Sequence, residues 1–188
     1  MSKPIAMKQG STDDFQTPDY ALNILIPYLK KEWTIWECAC GNGNLVKGLE
    51  KRGFQVIGSD IVNGVDFITS TVGSFDCIVT NPPYSLKDKF LERCYCLEKP
   101  FALLIPLTSL EGQSRQNLFR KHGLQLIIPN RRIDFYTPSG KNSSSWFQSA
   151  WFTSGLNLIN DINFVEITDK KKLVNLKIVE KCNVDDWL

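Results

Sequence analysis

The densest chemistry in this chain lies in four residues, Asn81-Pro82-Pro83-Tyr84. They close an apolar run, residues 75–80, that reads as a buried strand, and neither proline can extend it because neither carries a backbone donor. A residue before proline is pushed toward extended backbone, so the Asn81 side chain projects past the strand end. The product is a rigid ledge bearing an amide, free carbonyls and an aromatic ring. An amino group conjugated to a ring or a carbonyl is a poor nucleophile, because its lone pair is delocalised. Two acceptors, the Asn81 side-chain oxygen and the Pro82 carbonyl, would hold its N–H bonds and favour a tetrahedral nitrogen. Tyr84 would offer a face to a planar group, worth about 1–3 kcal/mol where a base stacks on it. No strong base is needed, since such a nitrogen turns acidic once alkylated. A proline-rich turn that merely ends a strand is the plainer reading, and context decides between them.

The elements that must position this ledge can be read in order. Residues 1–13 are polar and expected to be loose, and residues 20–29 carry a helical apolar pattern. Thr17 with Pro18 reads as a cap and first-turn proline, with Asp19 favourable near the helix dipole. A short strand at residues 33–37 runs into Glu37-Cys38-Ala39-Cys40-Gly41-Asn42-Gly43, then a helix with Leu45, Val46 and Leu49 inward. A strand, a glycine turn and a helix let a ligand approach the backbone closely. The turn lacks the third glycine of a dinucleotide fingerprint, because Val46 stands in its place. Glu37 also suits an amine-bearing ligand better than a pyrophosphate.

A second strand, residues 54–60, ends in Asp60, about 20 residues beyond the glycine turn, where a carboxylate commonly binds ribose hydroxyls. Ile61 could pack on an adenine face, and Asp66-Phe67 could meet its edge; solvated loop acids are the bland alternative. Past the ledge come a helix at 86–97, a strand at 101–107, a helix at 112–121, and strands at 124–128 and 147–153, the last two antiparallel. Between them, Arg131-Arg132-Ile133-Asp134-Phe135-Tyr136 leads to Lys141, basic and aromatic together. Cations for phosphate and rings for stacking make this a candidate nucleic-acid contact; a solvated hairpin connection is the alternative. Residues 157–188 read as a carboxyl-terminal extension with one more strand pair or a packed segment, and the Lys170–Lys172 run reads as a solvated turn.

Composition narrows the classes. The 188 residues suit a single domain, and 43% hydrophobic with 22% charged content is ordinary for a water-soluble globular chain. A net charge of +2 permits nucleic acid without demanding it. No leader pattern or membrane-length apolar run occurs, so a cytoplasmic protein with no membrane partner is expected. The six cysteines fit no zinc spacing and the chain has one histidine, His122, so reduced thiols and no metal are expected. One histidine also disfavours hydrolase triads.

The ordered set of strand, Glu-x-x-x-Gly-x-Gly turn, strand ending in acid, Asp-Phe and Asn-Pro-Pro-Tyr is more specific than any part. Over roughly residues 14–155 the chain resembles amino-methyltransferases that use S-adenosylmethionine, most closely the small DNA adenine-N6 methyltransferases of bacteria and their phages. The resemblance implies a Rossmann-like α/β fold, a mainly parallel seven-stranded sheet with a last antiparallel strand and helices on both faces. It implies that Phe15, Thr17 and Pro18 contact the methionine part of the cofactor. Glu37, Gly41 and Gly43 would form the cofactor turn, Asp60 would bind ribose, and Asp66 with Phe67 would contact adenine. Asn81, Pro82, Pro83 and Tyr84 would be catalytic, and Phe135 with Tyr136 would pack a flipped base. Where the family usually has proline after the first acid, this chain has Cys38. Its length leaves no room for the separate target-recognition domain of larger members. Specificity would then be low, reside in short loops or come from a protein partner. Methylation of cytosine N4, an RNA base or a protein glutamine stays open, as does a catalytically silent, nucleic-acid-binding subunit.

Overall fold

The computed structural model describes residues 15–136, 142–143, 147–156 and 158–167. Lys141, Lys170–Lys172, the amino-terminal stretch 1–13 and the tail past 167 lie outside the described residues. In chain order the elements are α1 (Tyr20–Asn23), β1 (Thr34–Glu37), α2 (Asn44–Glu50), β2 (Gln55–Gly58), β3 (Cys77–Thr80), α3 (Lys87–Cys96) and β4 (Phe101–Pro106). There follow α4 (Gln113–His122), β5 (Gln125–Pro129), β6 (Phe135–Tyr136), β7 (Asn142–Ser143), β8 (Ser149–Ser154) and β9 (Ile162–Val165).

Seven strands form one sheet in the order β2-β1-β3-β4-β8-β5-β9. All neighbours are parallel except β8, which runs antiparallel to both β4 and β5. The antiparallel strand is therefore not the last: β9 follows it and adds a parallel edge. β6 and β7 make a separate small hairpin, onto which Gln16 pairs through two backbone hydrogen bonds with Tyr136.

The central strands β3 and β4 are buried along their whole length, as continuous apolar runs covered on both faces must be. On one face Leu22, Leu25, Leu45 and Leu49 pack against Ile35, Val79, Leu104 and Trp151. On the other Phe90, Leu91 and Cys94 pack against Trp36, Ile78, Leu103 and Phe152. Each such buried side chain contributes about 1.5–3 kcal/mol, so the strand ends are held by a two-sided core.

Two expectations near the amino terminus need correction. The apolar pattern over 20–29 gives one α-turn, Tyr20–Asn23, and then a 3-10 turn, Ile26–Tyr28. Pro27 is the cause, since it offers no N–H and its ring collides with the carbonyl four residues earlier. Thr17 is not the helix cap: it is buried and its hydroxyl has no hydrogen-bond partner among the described residues. Asp19 sits at the helix start but engages Arg52 instead. Among the described residues no helix is long and apolar enough to cross a membrane, and no cluster of His, Cys, Asp or Glu is arranged to hold a metal.

Candidate active site

Strand order reverses between β1 and β3: β2 lies on one side of β1, β3 and β4 on the other. In open parallel sheets, ligands bind past the carboxyl ends of strands at such a switch point. Glu37 ends β1 and Asn81 follows β3, and the pairing Trp36 with Ile78 sets these two ends side by side. The topology alone brings the candidate cofactor turn against the ledge.

Asn81 is oriented by a specific partner. Its Nδ2 donates to the Phe15 carbonyl at 2.8 Å. A carbonyl can only accept, so this bond fixes which end of the amide is nitrogen. Asn81 Oδ1 is buried and has no hydrogen-bond partner among the described residues. Such an acceptor, fixed and unsatisfied, costs stability unless something donates to it. Pro82 beside it is buried, and Pro83 and Tyr84 are half-buried. The Tyr84 ring lies within an aromatic group: Phe15 stacks at 5.8 Å with an interplanar angle of 26°, and Phe147 meets it edge-on at 5.4 Å. Phe135 stands 6.4 Å away, also edge-on.

Residues 15–17 act as a strap over the site. Phe15 holds the Asn81 amide and the Tyr84 ring, and the Gln16 backbone is pinned to Tyr136. The Gln16 side chain covers Gly41, where an added Cβ would come within 2.7 Å of its Nε2. One short segment thus touches the glycine turn, the ledge and the β6 hairpin.

Gly41 and Gly43 both have positive φ, +47° and +77°, backbone that favours glycine. Open space lies where a Gly43 side chain would be, leaving the backbone approachable. Asp60 braces the turn: its Oδ2 accepts from the Gly41 N–H at 2.8 Å and its Oδ1 from the Val62 N–H at 3.1 Å. A carboxylate has further lone pairs for ribose hydroxyls. Ile61 is half-buried beside it.

Glu37 is 1% exposed and accepts from the Ala39 N–H at 3.1 Å. Burial pushes its carboxyl up to about 8, eased by Thr80 and the Ala39 amide and raised further by the Asp60 charge. Thr80 Oγ1 lies nearby without a well-formed hydrogen bond. No cationic side chain among the described residues pairs with Glu37. This donor set fits a ligand that brings its own positive charge, as the ammonium and sulfonium of S-adenosylmethionine do.

The other candidates scatter. Asp66 closes its own turn, Oδ1 accepting from the Ile68 N–H at 2.9 Å, and is half-buried. The Phe67 ring is 2% exposed between Trp36 and Phe90, so the ring itself belongs to the core. Pro18 is buried. Phe135 is fully buried beneath Phe15 and Tyr84, whereas Tyr136 is 43% exposed. A ring packed as Phe135 is supports the site from below; it does not present a free face to a base. Arg131 and Arg132 are exposed, and the Arg131 guanidinium lies 5.6 Å from the Tyr20 ring. Phe147, seen in sequence only as part of a strand, completes the aromatic group. The thiols of Cys38, Cys77 and Cys94 are buried and pushed upward by that burial, which keeps them from acting as nucleophiles.

Neither a protein-family model nor a curated protein matches the sequence. Solved structures do match in shape. A protein assigned as an RNA methyltransferase from Pyrococcus horikoshii superposes with a TM-score of 0.54 at 14% identity, over 80% of this chain and 90% of that one. A modification subunit assigned to a type I restriction enzyme from Vibrio vulnificus gives 0.47 at 12% identity, over 77% of this chain and 45% of that one. A dimethyladenosine transferase from Plasmodium falciparum gives 0.44 at 15% identity, over 74% and 62%. This chain therefore spans less than two thirds of the latter two proteins. The likeness is one of fold, and the fold is the Rossmann-like class I methyltransferase fold.

Proposed function

We propose that this protein is an S-adenosylmethionine-dependent methyltransferase acting on the N6 amino group of adenine in DNA. The observation that carries the reading is the Asn81 amide, aimed by the Phe15 carbonyl so that a buried Oδ1 is left with no donor among the described residues. Oδ1 and the Pro82 carbonyl accept the two N–H bonds of the substrate, and the nitrogen lone pair is freed from the ring. Glu37, Gly41, Gly43 and Asp60 would hold the cofactor, with Phe15, Thr17, Pro18, Ile61, Asp66 and Phe67 around it. Once bound, the cofactor would supply a sulfonium methyl, the new N–C bond forming as the S–C bond breaks and leaves a neutral thioether, and the nitrogen proton would pass to water.

Positioning carries the catalysis, with no covalent intermediate on the protein. In a duplex the base must leave the stack, at a cost of a few kcal/mol. Tyr84 supplies its stacking partner, which requires the Phe15 ring to share or yield its face. Arg131, Arg132 and Tyr136 at the exposed hairpin, with Lys141 following, contact the phosphate backbone and bases.

The deciding experiment incubates the protein with isotopically labelled cofactor and, separately, DNA, RNA and a glutamine-containing peptide, then analyses nucleosides and residues by mass spectrometry. Label on N6 of deoxyadenosine is the expected result. Label on RNA, cytosine or glutamine moves the substrate, and absence of label everywhere, with cofactor bound, favours a silent subunit.

A further inference from the structure

Two buried hydroxyls near the strand ends go unpartnered among the described residues. Ser109 lies in the 3-10 turn Leu107–Leu110 after β4, and Ser149 opens β8 opposite Pro106. Both residues are 0% exposed, and neither hydroxyl has a hydrogen-bond partner among the described residues. A buried polar atom without a partner destabilises a fold, so each calls for a reason.

Their backbone is held firmly. The Leu107 N–H donates to the Gln148 carbonyl at 2.8 Å, joining the turn to the approach to β8. Arg115 Nε donates to the Ser109 carbonyl at 2.8 Å, while Nη1 donates to both Asp88 oxygens at 2.9 Å. Asp88 stands in the first turn of α3, directly after the ledge. The segment carrying Ser109 is thus braced against the segment carrying Tyr84.

Position supplies the reason. Across the sheet edge, Asp60 follows β2, Glu37 ends β1, Asn81 follows β3, Ser109 follows β4 and Ser149 begins β8. The cofactor residues lie on one side of Asn81 and the two serines on the other. A substrate whose amino nitrogen sits at Asn81 can lay its ring toward β4 and β8, away from the cofactor residues. The two-residue period of a strand also puts Ser149 on the face of Trp151, the face that buries Phe135.

We propose that Ser109 and Ser149 form a polar subsite that donates to the ring nitrogens flanking the amino group of a target adenine; this rests on the methyltransferase reading above. A serine hydroxyl can donate and rotates to suit its acceptor. Adenine carries acceptors, N1 and N7, on both sides of its amino group. Cytosine carries N3 on one side and a C–H on the other, and a primary amide has only its carbonyl oxygen. Two donors match adenine and leave one hydroxyl unsatisfied with either rival.

The test measures kcat/KM for wild type, Ser109→Ala, Ser149→Ala and the double variant on an oligonucleotide bearing adenine, 1-deazaadenine or 7-deazaadenine at the methylated position. Each alanine variant should lose about 5- to 20-fold on adenine, the scale of one or two neutral hydrogen bonds. On the analogue lacking its own partner nitrogen, the same variant should equal wild type. Cofactor affinity should stay within twofold and the melting temperature should hold or rise, since alanine removes an unsatisfied group. Losses equal on adenine and both analogues, or no loss, overturn the subsite while the methyltransferase reading stands. A wild type that methylates no adenine overturns both. Should a variant fail to fold, the wild type alone decides: an unchanged rate on both deaza analogues refutes the subsite.

Discussion

With Glu37 as the proposed acceptor of the cofactor's cation, raising the pH from 6 to 7.5 should tighten cofactor binding about 20-fold, because the carboxyl has to ionise first. Its carboxyl is held up to about 8 by burial, with no cationic side chain among the described residues to offset it. If the bound cofactor selects the ionised form, the protonated fraction is a penalty of about 2 pKa units at pH 6 and about half a unit at 7.5. At about 1.4 kcal/mol per unit, the difference is about 2 kcal/mol, hence the factor of ~20. At pH 7 binding should release about 0.9 proton. Calorimetry in buffers of differing ionisation enthalpy reads that proton directly, and the slope of log Kd against pH reads the same linkage. Glu37→Gln should bind more weakly at pH 7.5 but with no pH slope. The same shift bears on folding: a carboxyl raised from 4.5 to about 8 makes the folded state bind more protons, so its contribution to stability is complete below 4.5 and is lost as pH rises through 8. Glu37→Gln should therefore gain stability relative to wild type across that window. A wild-type Kd flat from pH 6 to 7.5, with no buffer-dependent heat, would refute the reasoning.

Three further perturbations separate the parts of the site. Asn81→Asp replaces the donor facing the Phe15 carbonyl with an acceptor; transfer should fall at least 1,000-fold, on the scale seen when a positioned polar group is lost, with cofactor affinity within a few-fold. Gly43→Ala forces a side chain into positive φ, where only backbone strain resists it, so denaturation should show a loss of about 1–3 kcal/mol, with cofactor affinity falling further than that alone explains. Phe135→Ala empties a fully buried position and should cost about 3–5 kcal/mol in urea unfolding; a cost under 1 kcal/mol would mean the ring faces solvent and is free to meet a base.

The fold was legible where burial is two-sided. Ile78-Val79 and Leu103-Leu104-Ile105 read as continuous apolar runs because central parallel strands are covered on both faces. The helix at 20–29 misled because periodicity registers Tyr20, Leu25 and Leu29 while the backbone registers Pro27. Thr17 looked like a cap by residue type, yet capping depends on where the helix begins, and the chain turns at Asp19. The ledge and the glycine turn were legible because proline and glycine act locally. Phe135 and Tyr136 were not separable, since a strand sends neighbours to opposite faces and only the packing of Phe15 over β6 decides which goes in. The strap through Gln16 and the pairing of β4 with β8 join residues more than 40 positions apart, and no short window carries them. Ser109 and Ser149 have no sequence signal: a serine in a turn looks solvated until its burial is known.

Asn81 Oδ1 is the proposed acceptor for an amino group about to be methylated. The most direct measurement is a crystal structure with sinefungin, a stable amine analogue of the cofactor, and an adenine-containing oligonucleotide. The adenine N6 should lie within hydrogen-bonding distance of Asn81 Oδ1 and the Pro82 carbonyl, with the sinefungin amine facing that nitrogen. An adenine bound elsewhere, or a cofactor analogue whose amine lies remote from residue 81, would contradict it.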